Sequence, residues 1–473
     1  MRVIVHTAVP RGLDAQQLDV HVTARLSMRP AYGSDNDRRI RSALYHSMFQ
    51  DAFSFHIALT GSHARETVPS SNLAGALAAV VSLERLSAHT LTDTLVLGEL
   101  QPNGAITAIR GVLPILSTLR HTQQRRTLLL SRDNLAEAQQ IEGFVLIPVK
   151  TLAEAVATLN QRARPRPTER PSYAPTVPDP SPVHSITTPA IAHALDVAAA
   201  GPHHVLLIGG PGSRATELAR ASIELCPPLT RADAIRWTSV HSLTGAFRQL
   251  LTHRPIRAPH HTVSALGMIG SRGCPGELSL GDVLILEDVV EFSPYTLDTL
   301  AAHLSQGHVS HASQHDTPIT FPAASIIIAT MAPCPCGWYG HPHHRCRCEK
   351  NAIARHHGRL PVNFRSLIDL TVTLPPLPTE AHTTRSFTER RERIANARAA
   401  HALHTPTREV VQLSAAAATV GASVGQTAAD AHRTLRLAAT IARLAGRNHA
   451  LTTDDVLQAL TWRRAVGVTL NTA

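Results

Sequence analysis

The stretch "VLLIGGPGSRATELAR", residues 205–220, decides how the chain is read. Its first residues form a short apolar run, as in a buried strand. Glycines and a proline follow, then a run of helix formers. A strand, a glycine-rich turn and a helix start make a phosphate cradle, because backbone N–H groups and the helix N-terminus both face an anion. The nucleotide-binding form reads G-x-x-x-x-G-K-S/T, with the lysine on the β and γ phosphates and the hydroxyl on Mg²⁺. Here Gly209, Gly210, Pro211, Gly212 and Ser213 keep the turn, and Thr216 keeps the hydroxyl. The last glycine position holds Arg214, and the lysine position holds Ala215. Arg214 stands one residue early, and its planar fork is no copy of a compact ammonium. On this stretch alone, a purely structural strand-to-helix turn remains open.

Working outward, the helical pattern "PAIAHALDVAAAG" precedes the cradle, and the apolar strands "DVLILEDV" and "ASIIIAT" follow it. Apolar strands separated by helical stretches imply a parallel α/β sheet. Upstream, "VIVHTAV", "LDVHVTARL" and "FSFHIALTG" read as strands, and "IRSALYHSMF" and "NLAGALAAVVSLERL" as helices, which makes an α+β unit. The Pro-rich stretch "RARPRPTERPSYAPTVPDPSPVH" reads as a semi-rigid, solvated spacer. Downstream, "TRSFTERRERIANARAAHAL", "AADAHRTLRLAATIARLAG" and "TTDDVLQALTWRRAV" are helical, and Thr453 with two aspartates marks a helix start. The layout expected is residues 1–162, a linker over 163–184, a core over 185–378 and a helical end over 379–473.

The chain has 473 residues, more than one ordinary core takes up. Its formal net charge is +10, and the excess is arginine, since Lys150 and Lys350 are the only lysines. Such a surface suits a nucleic-acid partner, although an Arg- and Ala-rich composition has the same effect on charge. No apolar run reaches membrane-spanning length and the first residues lack a secretory pattern, so the expectation is a cytoplasmic protein with no membrane partner.

"RAPHHTVSALGMIG", "PGELSLGDVLILEDVVEFSPYTLDTL" and "APCPCGWYG" together resemble the magnesium-chelatase-like AAA+ ATPases of the competence-protein ComM (YifB) family. "AAAGPHHVLLIGGPG" is similar to the lead-in and P-loop of that family. "RRIRSAL" and "LGELQPNGAITAIRGVLP" resemble its Lon-protease-like first domain, and "RTLRLAATIARLAG" and "TTDDVLQALTWRR" its helical end. The resemblance runs collinearly along nearly the whole chain. It implies an AAA+ P-loop parallel sheet core between a Lon-protease-like α+β domain and a C-terminal helical domain. It also implies ATP with Mg²⁺ as cofactor and a hexameric ring. The implied activity is ATP-driven branch migration on DNA in recombination or natural transformation.

The departures from the family pattern fall on the chemistry. The lysine is Ala215. The acidic strand ends Glu287-Asp288, where the family has Asp-Glu for metal and attacking water; these two are the candidate catalytic residues. The family's "NPCPCG" begins here with Ala332, its "SGPLLDRIDL" places Leu367 where it has an arginine, and its "RVARTIADL" places Ala439 at another. Arg365, Arg433 and Arg436 stand near these gaps. Phosphoryl transfer relies on positioning and charge stabilisation, so the expectation is a degenerate ATPase. The alternative is a non-catalytic scaffold or regulatory subunit, in a ring with an active homologue. "VPSSNLAG" lies where Lon-type proteases carry a nucleophilic serine. With no lysine base in the matching segments, Ser70 and Ser71 read as helix-start caps.

Cys334-x-Cys336 and Cys346-x-Cys348 supply four thiolates, the number a closed tetrahedral zinc site takes. Structural zinc is expected, with His341, His343 and His344 as alternative ligands. His260 and His261 in "RAPHHT" could look like metal ligands, but an adjacent pair points opposite ways in extended chain, so a loop or DNA-facing structural role is expected instead.

Overall fold

A computed structural model of the chain describes residues 2–11, 13–25, 35–47, 54–60, 71–122, 127–161, 171–176, 179–271, 273–311, 319–324, 326–376, 385–403, 412–413, 428–447 and 450–468. At its centre is a five-stranded parallel sheet in the order Ile256–Arg257, Val283–Leu286, Ile326–Met331, Val205–Gly209, Leu370–Leu374. The three central strands read "VLIL", "IIIATM" and "VLLIG", the continuous apolar runs expected of strands covered on both faces. Two apolar clusters cover those faces. Leu206, Leu284, Ile327 and Phe364 belong to one; Val205, Ile285, Ile328 and Leu437 belong to the other. Strand Val205–Gly209 is therefore central, and the acidic strand Val283–Leu286 lies one strand away, across Ile326–Met331. The fold class is α/β with a P-loop sheet core.

A second, six-stranded sheet runs Ser54–Thr60, Asp14–Arg25, Arg2–Arg11, Thr94–Leu97, Thr127–Ser131, Val145–Val149. Its first three strands pair antiparallel and the rest parallel. The helix Ser71–Ser82 is apolar on every side, and all its residues from Ser71 to Val81 are buried. That is the outcome for a helix with no polar face. Ser71 lies at its start, and Ser70 is outside the described residues.

The two sheets meet through Glu137. Its carboxylate accepts from the backbone N–H of Leu113 at 2.8 Å and from the Ser242 hydroxyl on the helix Arg231–Leu243. Burial raises the Glu137 carboxyl above its ordinary range. Arg231 adds a bond to the Gln140 carbonyl at 3.1 Å.

The Pro-rich segment is not solvated throughout, as its composition suggested. The Tyr173 hydroxyl donates to the Leu229 carbonyl at 3.1 Å and lies 3.2 Å from that of Leu251. His184 is buried between Glu224 and Arg390. A burial-driven anchor of this kind rests on one aromatic ring, which a count of prolines does not reveal.

The C-terminal helices Phe387–Leu403, Ala428–Leu444 and Thr453–Val468 pack together beside Pro189–Ala200. The buried pair Arg390–Asp196, at 2.8 Å, fastens the first of them. The start of the last is capped by Thr452, one residue before the expected Thr453. The Thr452 hydroxyl accepts from the Asp455 N–H at 3.3 Å, and the Asp455 carboxylate accepts in return from the Thr452 N–H at 2.9 Å.

Candidate functional site

The cradle forms where the sequence places it. Strand Val205–Gly209 ends in a turn over 210–214, and the helix Ala215–Glu224 begins at once. The turn is tight at both of its first glycines. A Cβ on Gly209 would stand 2.3 Å from the Ser213 hydroxyl, and one on Gly210 would stand 2.2 Å from the Gly337 carbonyl. Ser213 is buried, and its N–H closes the turn onto the Gly210 carbonyl at 3.1 Å.

Arg214, at the family's last glycine position, has φ 54° and ψ 34°. The backbone thus keeps the left-handed geometry that a glycine adopts freely, with an arginine in it. The side chain turns to Glu217, at 2.9 Å, and so serves the first helical turn rather than the cradle. Ala215 packs against the core, and Thr216 is half-buried.

Past the acidic strand, Glu287 and Asp288 diverge. Glu287 is paired with Arg220 of the cradle helix at 2.6 Å. Asp288 is also left-handed, at φ 49°, and its N–H donates to the Thr330 hydroxyl at 3.2 Å. Arg214 and Asp288 are two of three described non-glycine residues with positive φ, and both belong to this site, where strain tends to collect. Asp288 opens on a cleft of about 550 Å³ shared with Glu291, Ala332, Cys334, Arg355 and Arg359. Arg359 and Glu291 cross this cleft as a bidentate pair, at 2.9 and 3.2 Å.

The remaining departures have structural reasons. Ala332 lends its carbonyl to His356 Nε2 at 3.0 Å, and Pro333 lends its own to His357 Nε2 at 2.9 Å, so backbone contacts hold that loop. Leu367 and Ala439 are buried in the two apolar clusters covering the sheet. An arginine at either position would carry its charge into apolar packing. Arg433 reaches the Ser366 carbonyl, and Arg365 Nε has no hydrogen-bond partner among the described residues.

The motifs that carried the resemblance touch one another. Arg257 of "RAPHHT" binds Glu277 of "PGELSL" with both nitrogens of its fork, at 2.6 and 2.7 Å. Gly276 is fixed by contact: a Cβ there would lie 2.2 Å from the Gly270 nitrogen. His260 and His261 do not point apart. The chain turns at this place, with the Val263 N–H on the His260 carbonyl, and the two rings lie 4.0 Å apart. The segment is a loop, as expected, but the opposed side chains of extended chain do not apply to it.

The four cysteines converge. Cys334, Cys336 and Cys346 sulfurs lie 3.4 to 3.7 Å apart, and the four lie within 4.8 Å of one another. A tetrahedron of Zn–S bonds of about 2.3 Å has edges of about 3.8 Å, so the set fits zinc. Backbone N–H groups of Tyr339 and Cys348 point at Cys334 and Cys346 sulfurs, at 3.3 and 3.4 Å. The backbone N–H of Trp338 at Cys336 holds that thiol down to about 6, while desolvation pushes the Cys346 thiol up to about 12, so the thiols of the cluster do not ionise alike. His341 and His344 instead stack around Trp338, at 4.8 and 4.2 Å, and the cluster within ligating reach is all cysteine. Gly337 sits inside this loop, and its carbonyl is the atom that presses on Gly210. Cysteine loop and phosphate cradle are therefore in direct contact.

Arg220 and the Gly337 contact were not read from the sequence. Arg220 carries one local signal, its place four residues after Thr216 on the cradle helix. The choice of Glu287 as its partner is tertiary.

Comparison with known proteins agrees with this site. The family described as magnesium chelatase, subunit ChlI, matches residues 185–382. The uncharacterized protein YifB of Escherichia coli K12 is 31% identical over 393 residues, which cover 79% of this chain and 76% of that protein. Competence protein ComM of Haemophilus influenzae is 30% identical over 356 residues, 72% of this chain and 68% of that protein. With its sheet order, its cradle and its touching motifs, the chain belongs to the ComM/YifB family of magnesium-chelatase-like AAA+ proteins.

Proposed function

We propose that the chain is a nucleotide-binding AAA+ protein that acts on DNA and is impaired in ATP hydrolysis. One observation carries the reading. The cradle keeps its turn and its hydroxyl, yet the lysine is Ala215 and Glu287 is paired with Arg220. Backbone N–H groups at a helix start still attract phosphate. Turnover needs more: charge placed on the transferring group and a positioned base. Glu287 and Asp288 stand in exchanged order for that task, and displacement of a reacting group by about 1 Å can cost a hundredfold in rate.

The partner we propose is DNA, on the net charge of +10 and on the relative named for competence, with branch migration as the activity of the assembly. Residues 1–162 form the Lon-protease-like domain in this reading, 185–378 the ATPase core and 379–473 the helical domain. The four cysteines hold structural zinc, which ties the loop 334–348 together. No described helix is long and apolar enough to cross a membrane, and we place the protein in the cytoplasm.

Leu367 favours a second reading. The family's arginine there is a candidate for completing a neighbour's site, and a buried leucine cannot do so. A homo-hexamer would then lack that group at every interface. A ring shared with an active homologue, this chain being its scaffold or regulatory subunit, would retain it where the homologue supplies it.

The deciding experiment is ATP turnover with and without branched or single-stranded DNA, beside the double variant Ala215→Lys/Arg214→Gly. We expect silence from the natural protein. Turnover that Asp288→Ala abolishes would establish a working motor and refute this reading.

A further inference from the structure

A P-loop ATPase holds Mg²⁺ between the hydroxyl of the cradle helix and the first carboxylate after the acidic strand. The residues of this chain do not fit that ion. Thr216 and Arg220 are four apart on one helix, so they lie on one face, a turn apart. From that face Arg220 donates to the Glu287 carboxylate at 2.6 Å. A guanidinium therefore already stands against the carboxylate the metal would use. Arg214, the other cation near the turn, is engaged with Glu217. Asp288, the second carboxylate, has its backbone pinned to Thr330 and opens on the cleft beyond the strand.

We infer that Arg220 takes the place of Mg²⁺, so that this cradle binds metal-free nucleotide di- or triphosphate. The inference rests on the reading that the cradle takes nucleotide. The pair itself is exposed, at 57% and 38% for the two side chains, so its own strength is modest. What it contributes is a standing positive charge beside the cradle and a carboxylate withdrawn from metal binding. Mg²⁺ added to the solution then brings no gain in affinity.

The test is titration of ADP and ATP into the whole protein, in EDTA and in millimolar MgCl₂, with Mn²⁺ spectroscopy as a second readout. The natural protein is expected to bind equally in the two media, within about threefold, and to hold no Mn²⁺ beside ADP. Arg220→Ala is expected to weaken binding in EDTA by about tenfold and to make it metal-dependent, because Glu287 is released. Arg220→Gln serves if the alanine variant does not fold. Natural protein that binds about tenfold tighter with Mg²⁺ and holds Mn²⁺ overturns the inference. So does an Arg220 variant whose metal dependence is unchanged. Absence of binding from folded protein in both media overturns it together with the nucleotide part of the proposed function. ATP turnover alone would overturn the impaired-hydrolysis reading, and the ratio between the media would still decide the role of Arg220.

Discussion

Arg214 is a residue whose backbone and side chain are at odds. Its backbone holds a conformation that costs an L-residue about 1–2 kcal/mol, and its exposed pair with Glu217 returns at most about 1 kcal/mol. Arg214→Gly should therefore change stability by less than about 0.5 kcal/mol, because the strain relieved is offset by the lost pair and by the added freedom of glycine in the unfolded chain. Denaturant unfolding followed by fluorescence measures this, and a clear loss of stability would mean that the arginine makes contacts beyond Glu217. His184 leads to a pH dependence. Burial, with Arg390 beside it, lowers its imidazole from 6.5 to about 4. Nδ1 faces the Arg390 guanidinium and Nε2 faces Glu224, at 3.4 and 3.2 Å, which suits a neutral ring with its proton on Nε2. Between those two values the unfolded chain binds a proton that the folded one does not. Acidification from about pH 6.5 towards 4 should thus destabilise the fold by on the order of 2–3 kcal/mol through this residue. Melting temperature against pH is the measurement, and His184→Gln should flatten the acid limb; an unchanged slope would clear His184 of the effect.

The elements show which parts of a sequence can be read locally. Strands 205–209, 283–286 and 326–331 were legible because they are buried on both faces and read as unbroken apolar runs. Thr94–Leu97, Thr127–Ser131, Val145–Val149 and Leu370–Leu374 were passed over, since threonine, serine or proline interrupts or ends each of these apolar runs. The two-residue strand Ile256–Arg257 has no local signal at all; its pairing with Val283 and Leu284 comes from the sheet. The cysteine spacing offered four candidate ligands, and the structure added what they touch. Because the Gly337 carbonyl presses on Gly210, metal in the cysteine loop should steady the cradle as well as the loop. Purified protein should contain about one zinc, and Cys334→Ser should lower that content and the melting temperature together. Arg345 and Arg347 flank Cys346, so trypsin should cut there much faster once the metal is chelated. Cleavage at one rate with and without chelator would separate the cysteines from metal.

At the scale of the whole molecule, charge rather than shape makes the strongest claim about a partner. A net +10 from arginine has two sources that composition cannot separate, a surface selected for phosphate and a bias in residue usage. They differ in what salt does. A surface that neutralises several phosphates releases as many counterions, and its affinity falls linearly on logarithmic axes, with a slope of about −0.9 per phosphate for duplex and about −0.7 for single strands. For about six contacts on duplex DNA, affinity should drop by roughly three orders of magnitude between 50 and 200 mM salt. A chain that is basic by composition alone would show weak binding with a shallow slope, alike on every DNA form. Arginine also enters many ion pairs inside this fold, with Asp196, Glu277, Glu287, Glu291 and Asp455 among the partners, but each pair takes one charge of either sign and leaves the net +10 unchanged. The measured slope counts the cations that meet DNA. Comparing it on duplex, single-stranded and branched DNA tests the activity proposed: a steeper slope and tighter binding on the branched form support branch migration. Equal, salt-indifferent binding on all three would leave the protein without a DNA partner.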